Sequence, residues 1–148
     1  MNLRKILTAD VVQIGLKAKD KKSAIEELVD LLMKSGKVKD RDKALECILE
    51  RESKMSTGIQ FGIAIPHGKS DAVEEMVACI ATHKDGMDFD SLDGQPSTIF
   101  IMTISPEHKT GPHVQFLAEI SQLLMEQDSR DKILAATTAD QIIEIFCS

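Results

Sequence analysis

Apolar residues recur along this chain with two different periods, and the switches between them mark out the elements. Val11-Val12-Gln13-Ile14 is short and β-branched and reads as a first strand. From Asp20 the period lengthens. Ala24, Ile25, Leu28, Val29, Leu32 and Met33 form one helical stripe, with Asp20 as its N-cap and Ser35-Gly36 as its stop. Asp40 opens a second helix with Ala44, Leu45, Ile48 and Leu49 on its apolar face, fraying near Ser53. A glycine-punctuated loop runs from Met55 to Gly62. Ile63-Ala64-Ile65 is then a short buried strand, cut off at Pro66 because proline cannot donate to a ladder.

The second half repeats the alternation. Met76 to Thr82 is a near-continuous run of small and apolar residues, the pattern of a strand covered on both faces. Asp93-Gly94 is a turn signal, and Ile99 to Ile104 is the strongest strand in the chain. Ser105 to Pro112 reads as a polar loop. The helix after it places Val114, Leu117, Ala118, Ser121, Leu124 and Met125 inward. A short helix near Asp131 to Ala136 and a last one from Ala139 to Phe146 complete the pattern. Strands interspersed with helices, several of them apolar throughout, indicate an α/β fold whose sheet is covered on both faces. The pattern does not give the strand order.

Composition narrows the reading. A chain of 148 residues can bury a substantial core and is expected to form one domain, 1–148. With 43% hydrophobic and 28% charged residues it falls among globular soluble proteins rather than disordered ones. It has no Trp or Tyr and only 5 Phe, so the core is aliphatic and base stacking is not its business. A formal net charge of -6 also argues against a nucleic-acid partner. Cys47, Cys79 and Cys147 are widely spaced, which reads as reduced thiols in the cytoplasm. Arg4 and Lys5 could begin a signal peptide, but Asp10, Gln13 and Lys17 interrupt the apolar stretch it would need. No apolar run approaches the ~20 residues of a membrane helix, so no direct membrane insertion is expected.

The chemistry concentrates on histidine. His67 follows a buried strand and Pro66, and Gly68 puts no side chain beside its ring. A neutral imidazole is a good nucleophile near pH 7, its unperturbed pKa being about 6.5. It can carry a phosphoryl group as a phosphoramidate. On residues alone His67 is equally an ordinary loop histidine. His113 follows Gly111-Pro112 at a helix start, where the dipole disfavours its positive form and offers N–H groups to an anion. On residues alone the plainer reading, a partly buried polar residue starting a helix, is favoured. Arg51 ends the second helix and has the planar fork that grips phosphoryl oxygens, or it is a solvated arginine beside Glu50 and Glu52. His83 reads as an exposed strand end, and Asp88 to Asp93 as solvated turns. Ser70 and Asp71 are too close in sequence to His67 to suggest a triad. His108 and His113 lack zinc-site spacing, and there is no HExxH, so no metal or cofactor is expected. Without a Walker loop, ATP is not the expected phosphoryl donor.

Taken together, three segments carry a family resemblance. Ser56-Thr57-Gly58-Ile59 with Gly62-Ile63-Ala64-Ile65-Pro66-His67-Gly68 is the most specific. Met87 to Gly94 and Gly111-Pro112-His113-Val114-Gln115-Phe116-Leu117-Ala118 are the others. The chain resembles, over nearly its whole length, the fructose/mannitol-type enzyme IIA component of the bacterial phosphoenolpyruvate-dependent sugar phosphotransferase system, a family that includes nitrogen-regulatory IIA proteins. The resemblance implies a three-layer α/β/α sandwich with a central mixed β-sheet. It implies that His67 takes a phosphoryl group from phospho-HPr through Nε2 and passes it to a cysteine of a IIB component, with the IIC permease served indirectly. It casts His113 and Arg51 as the residues that assist, and their separations from His67 fit the family's spacing. The one departure is Gln60, where the signature usually has glycine; it lies in the approach loop, not in the chemistry. The alternative within the same family is a regulatory protein whose phosphorylation state controls partner binding. A weaker alternative is a metal-dependent hydrolase using His67 and His113.

Overall fold

The computed structural model describes residues 2–109 and 111–147. Among these, six helices and five strands follow in the order α1 (Leu3–Ile6), β1 (Val12–Gln13), α2 (Lys21–Met33), α3 (Arg41–Lys54), β2 (Ile63–Ala64), β3 (His67–Lys69), β4 (Val77–Met87), β5 (Ser97–Ser105), α4 (Gly111–Leu124), α5 (Gln127–Ala135) and α6 (Ala139–Cys147), with a 3₁₀ turn at Ala9–Val11. The two predicted caps are present. Asp20 accepts from the Ser23 N–H and Asp40 from the Lys43 N–H, each satisfying a donor that the first helical turn leaves open.

The strands form one sheet in the order β1-β4-β5-β2, with β3 also on β5. β4 and β5 are antiparallel and the other pairings are parallel, so the sheet is mixed. Successive side chains of β5 point to opposite faces, and each face has its own core. Phe100, Met102 and Ile104 join the buried residues of α2 and α3. Ile99 and Ile101 join Phe116, Ile120, Ile133, Ile142 and Phe146 from α4, α5 and α6. This is the three-layer α/β/α arrangement. Both cores are aliphatic with a few phenylalanines, as the composition requires. No helix among the described residues is long and apolar enough to cross a membrane.

Three differences from the sequence reading matter for the site. First, His67 does not sit in a loop but opens β3. Ile63 pairs with Ile99 and His67 with Thr103, so β2 and β3 keep one register along β5, as a single edge strand broken at Ile65–Pro66. Proline is tolerated there because its missing donor is at an edge, and the Pro66 carbonyl still accepts from the Thr103 N–H at 3.1 Å. Second, α4 is rotated. It buries His113, Phe116, Ile120 and Leu124, while Val114 is 64% and Met125 41% exposed. The buried set also has helical spacing, and its larger side chains, Phe116 and Ile120, gain more by leaving water than Ala118 and Ser121 would. Third, β4 runs on to Met87, so His83 is not a strand end; it is half-buried, with its Nδ1 atom buried and unpartnered among the described residues.

Candidate active site

The site lies where the sheet's edge meets two helices. Across the backbone of β3, successive residues face opposite ways. Gly68 faces α3 so closely that an added Cβ would stand 2.9 Å from Cys47 Sγ and 3.2 Å from the Cys47 carbonyl oxygen. Only glycine allows this approach, and it draws in the end of α3, which carries Arg51 one turn beyond Cys47. His67 faces the other way, toward α4. There its ring meets that of His113, with centroids 5.4 Å apart and planes tilted by 51°.

A cleft of about 630 Å³ results, lined by Arg51, Lys54, His67, Lys69, His113 and Val114, with Cys47, Glu50 and Glu107 on its walls. The structure therefore brings together all three residues singled out in the sequence. His67 is half-exposed. Its Nδ1 lies 2.8 Å from the Ile65 carbonyl oxygen. A carbonyl can only accept, so Nδ1 carries the proton and Nε2 keeps its lone pair.

His113 is treated differently. It is 5% exposed, and its Nδ1 is buried with no hydrogen-bond partner among the described residues. Its pKa is lowered to about 4, first by burial, then by His67 and Lys69. The ring is neutral at physiological pH, as its place at a helix start suggested, but burial is the main cause. Arg51 Nη1 donates to the Met55 carbonyl at 2.8 Å, which steadies the guanidinium at the mouth of the approach loop. Glu52 is not its partner: that carboxylate accepts from Thr57 and pairs with Lys21. The thiol of Cys47 is pushed up to about 11 by burial and by Glu50 and Glu46, so it is protonated and inert in this cleft. Among the described residues no group of three or more His, Cys, Asp or Glu side chains could hold a metal ion.

Lys69 was missed in the sequence. Two residues beyond His67 in a strand, it shares that residue's face; recognising His67-Gly68-Lys69 as a strand would have found it. Gln60 lies in the turn between the approach loop and β2, exposed, with its amide 3.7 Å from Met125 Sδ, and is not among the residues that line the cleft.

The chain matches the family described as phosphoenolpyruvate-dependent sugar phosphotransferase system, EIIA 2, over residues 5–148. It belongs to this family. It is 40% identical over 126 residues to a fructose-specific EIIA component of Haloferax volcanii, covering 85% of this chain and 82% of that protein. It is 39% identical over 146 residues to a fructose-specific EIIABC component of Bacillus subtilis; that match covers 99% of this chain but only 23% of the longer protein. Among solved structures, the nitrogen regulatory protein IIA-Ntr of Neisseria meningitidis superposes with a TM-score of 0.86 at 25% identity, covering 97% of this chain and 98% of that one. The complex of mannitol enzyme IIA with phosphorylated enzyme IIB from Escherichia coli has a TM-score of 0.82 at 22% identity, over 95% and 96% of the chains, a likeness of fold. The EIIA family and the three-layer fold expected from the motifs are thus both established.

Proposed function

We propose that residues 1–148 act as one phosphocarrier domain, working in the cytoplasm. His67 accepts a phosphoryl group from phospho-HPr and delivers it to a IIB component for sugar uptake. The single observation that carries this reading is the Nδ1–H bond from His67 to the Ile65 carbonyl, which leaves Nε2 as the nucleophilic nitrogen at a cleft shared with a second, neutral imidazole and a guanidinium.

The chemistry is a displacement at phosphorus. The Nε2 lone pair of His67 attacks, the bond from phosphorus to the donor's histidine nitrogen breaks, and the donor leaves as neutral imidazole. Delivery reverses the roles, with a partner's cysteine thiolate attacking and His67 leaving. Such transfers need positioning and charge stabilisation more than covalent help. The Arg51 fork and an N–H of His113 are suited to hold the phosphoryl oxygens, and the N-terminal end of α4 adds its positive dipole end. With His113 Nδ1 enclosed and unpartnered among the described residues, the tautomer that puts the proton on Nε2 avoids a buried orphan donor. A neutral His113 also spares the incoming donor and the His67 ring a second positive charge. No metal or nucleotide enters, because the donor is already an activated phosphohistidine.

Relatives of both kinds match the chain, fructose-specific ones at 39% and 40% identity and a nitrogen regulatory protein of Bradyrhizobium diazoefficiens at 30%; the transport reading leans on that margin, and the regulatory reading stands beside it as the alternative. The test is labelling by phosphoenolpyruvate with enzyme I and HPr, followed by a screen of IIB proteins as acceptors. His67→Ala is expected to abolish labelling; wild-type stoichiometry in that variant would remove His67 from the mechanism. A labelled protein that no IIB discharges would favour the regulatory role.

A further inference from the structure

The hydrogen bond that fixes His67 is the last link of a chain that begins on another element. Glu52 lies in the last turn of α3 and is 7% exposed. A buried carboxylate is costly unless it is paired and hydrogen-bonded, and this one is both. Lys21 Nζ, from the first turn of α2, stands 2.9 Å from Oε2 and 4.9 Å from the centre of the Phe89 ring. Oε2 also accepts from the Thr57 backbone N–H at 2.8 Å, and Oε1 accepts from the Thr57 hydroxyl.

Thr57 is thereby gripped by backbone and side chain together. Its carbonyl accepts from the Ile65 N–H at 3.0 Å, and the Ile65 carbonyl accepts from His67 Nδ1–H at 2.8 Å. Ile65 precedes Pro66, which confines its ψ to extended values. Fixing its N–H therefore also aims its carbonyl. The segment around Thr57 has little room to drift, since Gly58 forms an antiparallel bridge with Ala64. On its far side an added Cβ at Gly58 would come within 2.5 Å of Ser91 Oγ.

We propose that Glu52 is a positioning residue that acts through Thr57 and Ile65 to hold His67 in the Nδ1–H tautomer. It touches neither the imidazole nor the transferred group. It holds the carbonyl that decides which ring nitrogen bears the proton. The proposal rests on the reading of His67 as phosphoryl acceptor for its kinetic consequence, though not for the tautomer itself.

The experiment uses the full chain with ¹⁵N-labelled histidine, unphosphorylated, so that tautomer and phosphorylation are read separately. The wild type is expected to show the Nδ1–H pattern at His67. Glu52→Gln is expected to mix the tautomers and to slow phosphoryl uptake from phospho-HPr about tenfold, the scale of one lost charge-assisted hydrogen bond. Thr57→Val, which keeps the shape and removes the hydroxyl, moves both readouts the same way by less, and Thr57→Ser restores them. A wild-type tautomer in folded Glu52→Gln overturns the proposal whatever the rate. If Glu52→Gln does not fold, the Thr57→Val and Thr57→Ser pair decides on the same readout. Wild-type phosphate found off His67 would overturn the phosphocarrier reading and leave the tautomer result standing.

Discussion

The edge strand that carries His67 and the helix start that carries His113 bring two identical rings to 5.4 Å from each other and give them opposite surroundings. The strand leaves its imidazole half in solvent and ties one nitrogen to a backbone carbonyl. The helix draws its imidazole into the core and leaves the buried nitrogen without a partner among the described residues. One ring has its proton placed for it; the other is held neutral at physiological pH. In the proposed mechanism this difference separates a nucleophile from a hydrogen-bond donor more firmly than sequence position could, since both residues are histidines beside a proline.

The largest expected effect follows directly. His67→Ala should lose all phosphoryl incorporation. His113→Ala should still label at residue 67 but about 10³-fold more slowly, the scale of removing a preorganised donor from a transition state. Rapid-quench labelling with phospho-HPr distinguishes the two. Equal and complete loss in both variants would erase the division of roles. Arg51→Ala tests whether α3 belongs to the same machinery. It should fold normally, with an unchanged thermal midpoint, and transfer about a hundredfold more slowly; an unchanged rate would return Arg51 to being a helix residue steadied by the Met55 carbonyl.

How much of this was legible in the sequence depends on what each residue needed. The strands at 77–82 and 99–104 are apolar on both faces because each face has a helical layer, and a continuous apolar run records that directly. The caps at Asp20 and Asp40 are local chemistry and were equally plain. Arg51, His67 and His113 could be named through the family's motifs, not through geometry. β3 was not legible: His67-Gly68-Lys69 has little strand propensity, and it is a strand because β5 offers the edge in the register β2 already occupies. The rotation of α4 was not legible either, since the helix carries two apolar stripes and the one holding His113 is drawn inward by Phe116 and Ile120. The partnership of Glu52 with Lys21 joins residues 31 apart in sequence, and no local pattern announces it.

A smaller effect tests how tightly the strand is seated against α3. Gly68→Ala forces a methyl group to within 2.9 Å of Cys47 Sγ and 3.2 Å of the Cys47 carbonyl oxygen. Overpacking of this kind costs about 1–3 kcal/mol, measurable by denaturant unfolding, and it should also slow transfer by pushing Arg51 away from the cleft. Cys47→Ala in the same chain should recover part of the loss but not all, because the carbonyl contact remains. A neutral Gly68→Ala would mean that α3 is free to shift, and that the cleft does not depend on this contact.

The smallest effect bears on the helix side of the comparison. His113 has its pKa lowered to about 4 in the fold, against about 6.5 for an unperturbed imidazole. Below about pH 6.5 the unfolded chain takes up a proton that the native state refuses. The stability linked to this ring is therefore fully present above pH 6.5 and is lost progressively as pH falls toward 4. His113→Gln cannot titrate. The carboxylates held low at the surface, those of Asp20, Asp71 and Glu74, are common to both proteins and cancel in the difference. Denaturant unfolding between pH 7.5 and 4.5 should show the wild type losing stability faster than His113→Gln across that window. Parallel decline would mean that the buried ring accepts its proton without cost. Its enclosure would then no longer explain why, of two neighbouring imidazoles, one stays neutral while the other is left to react.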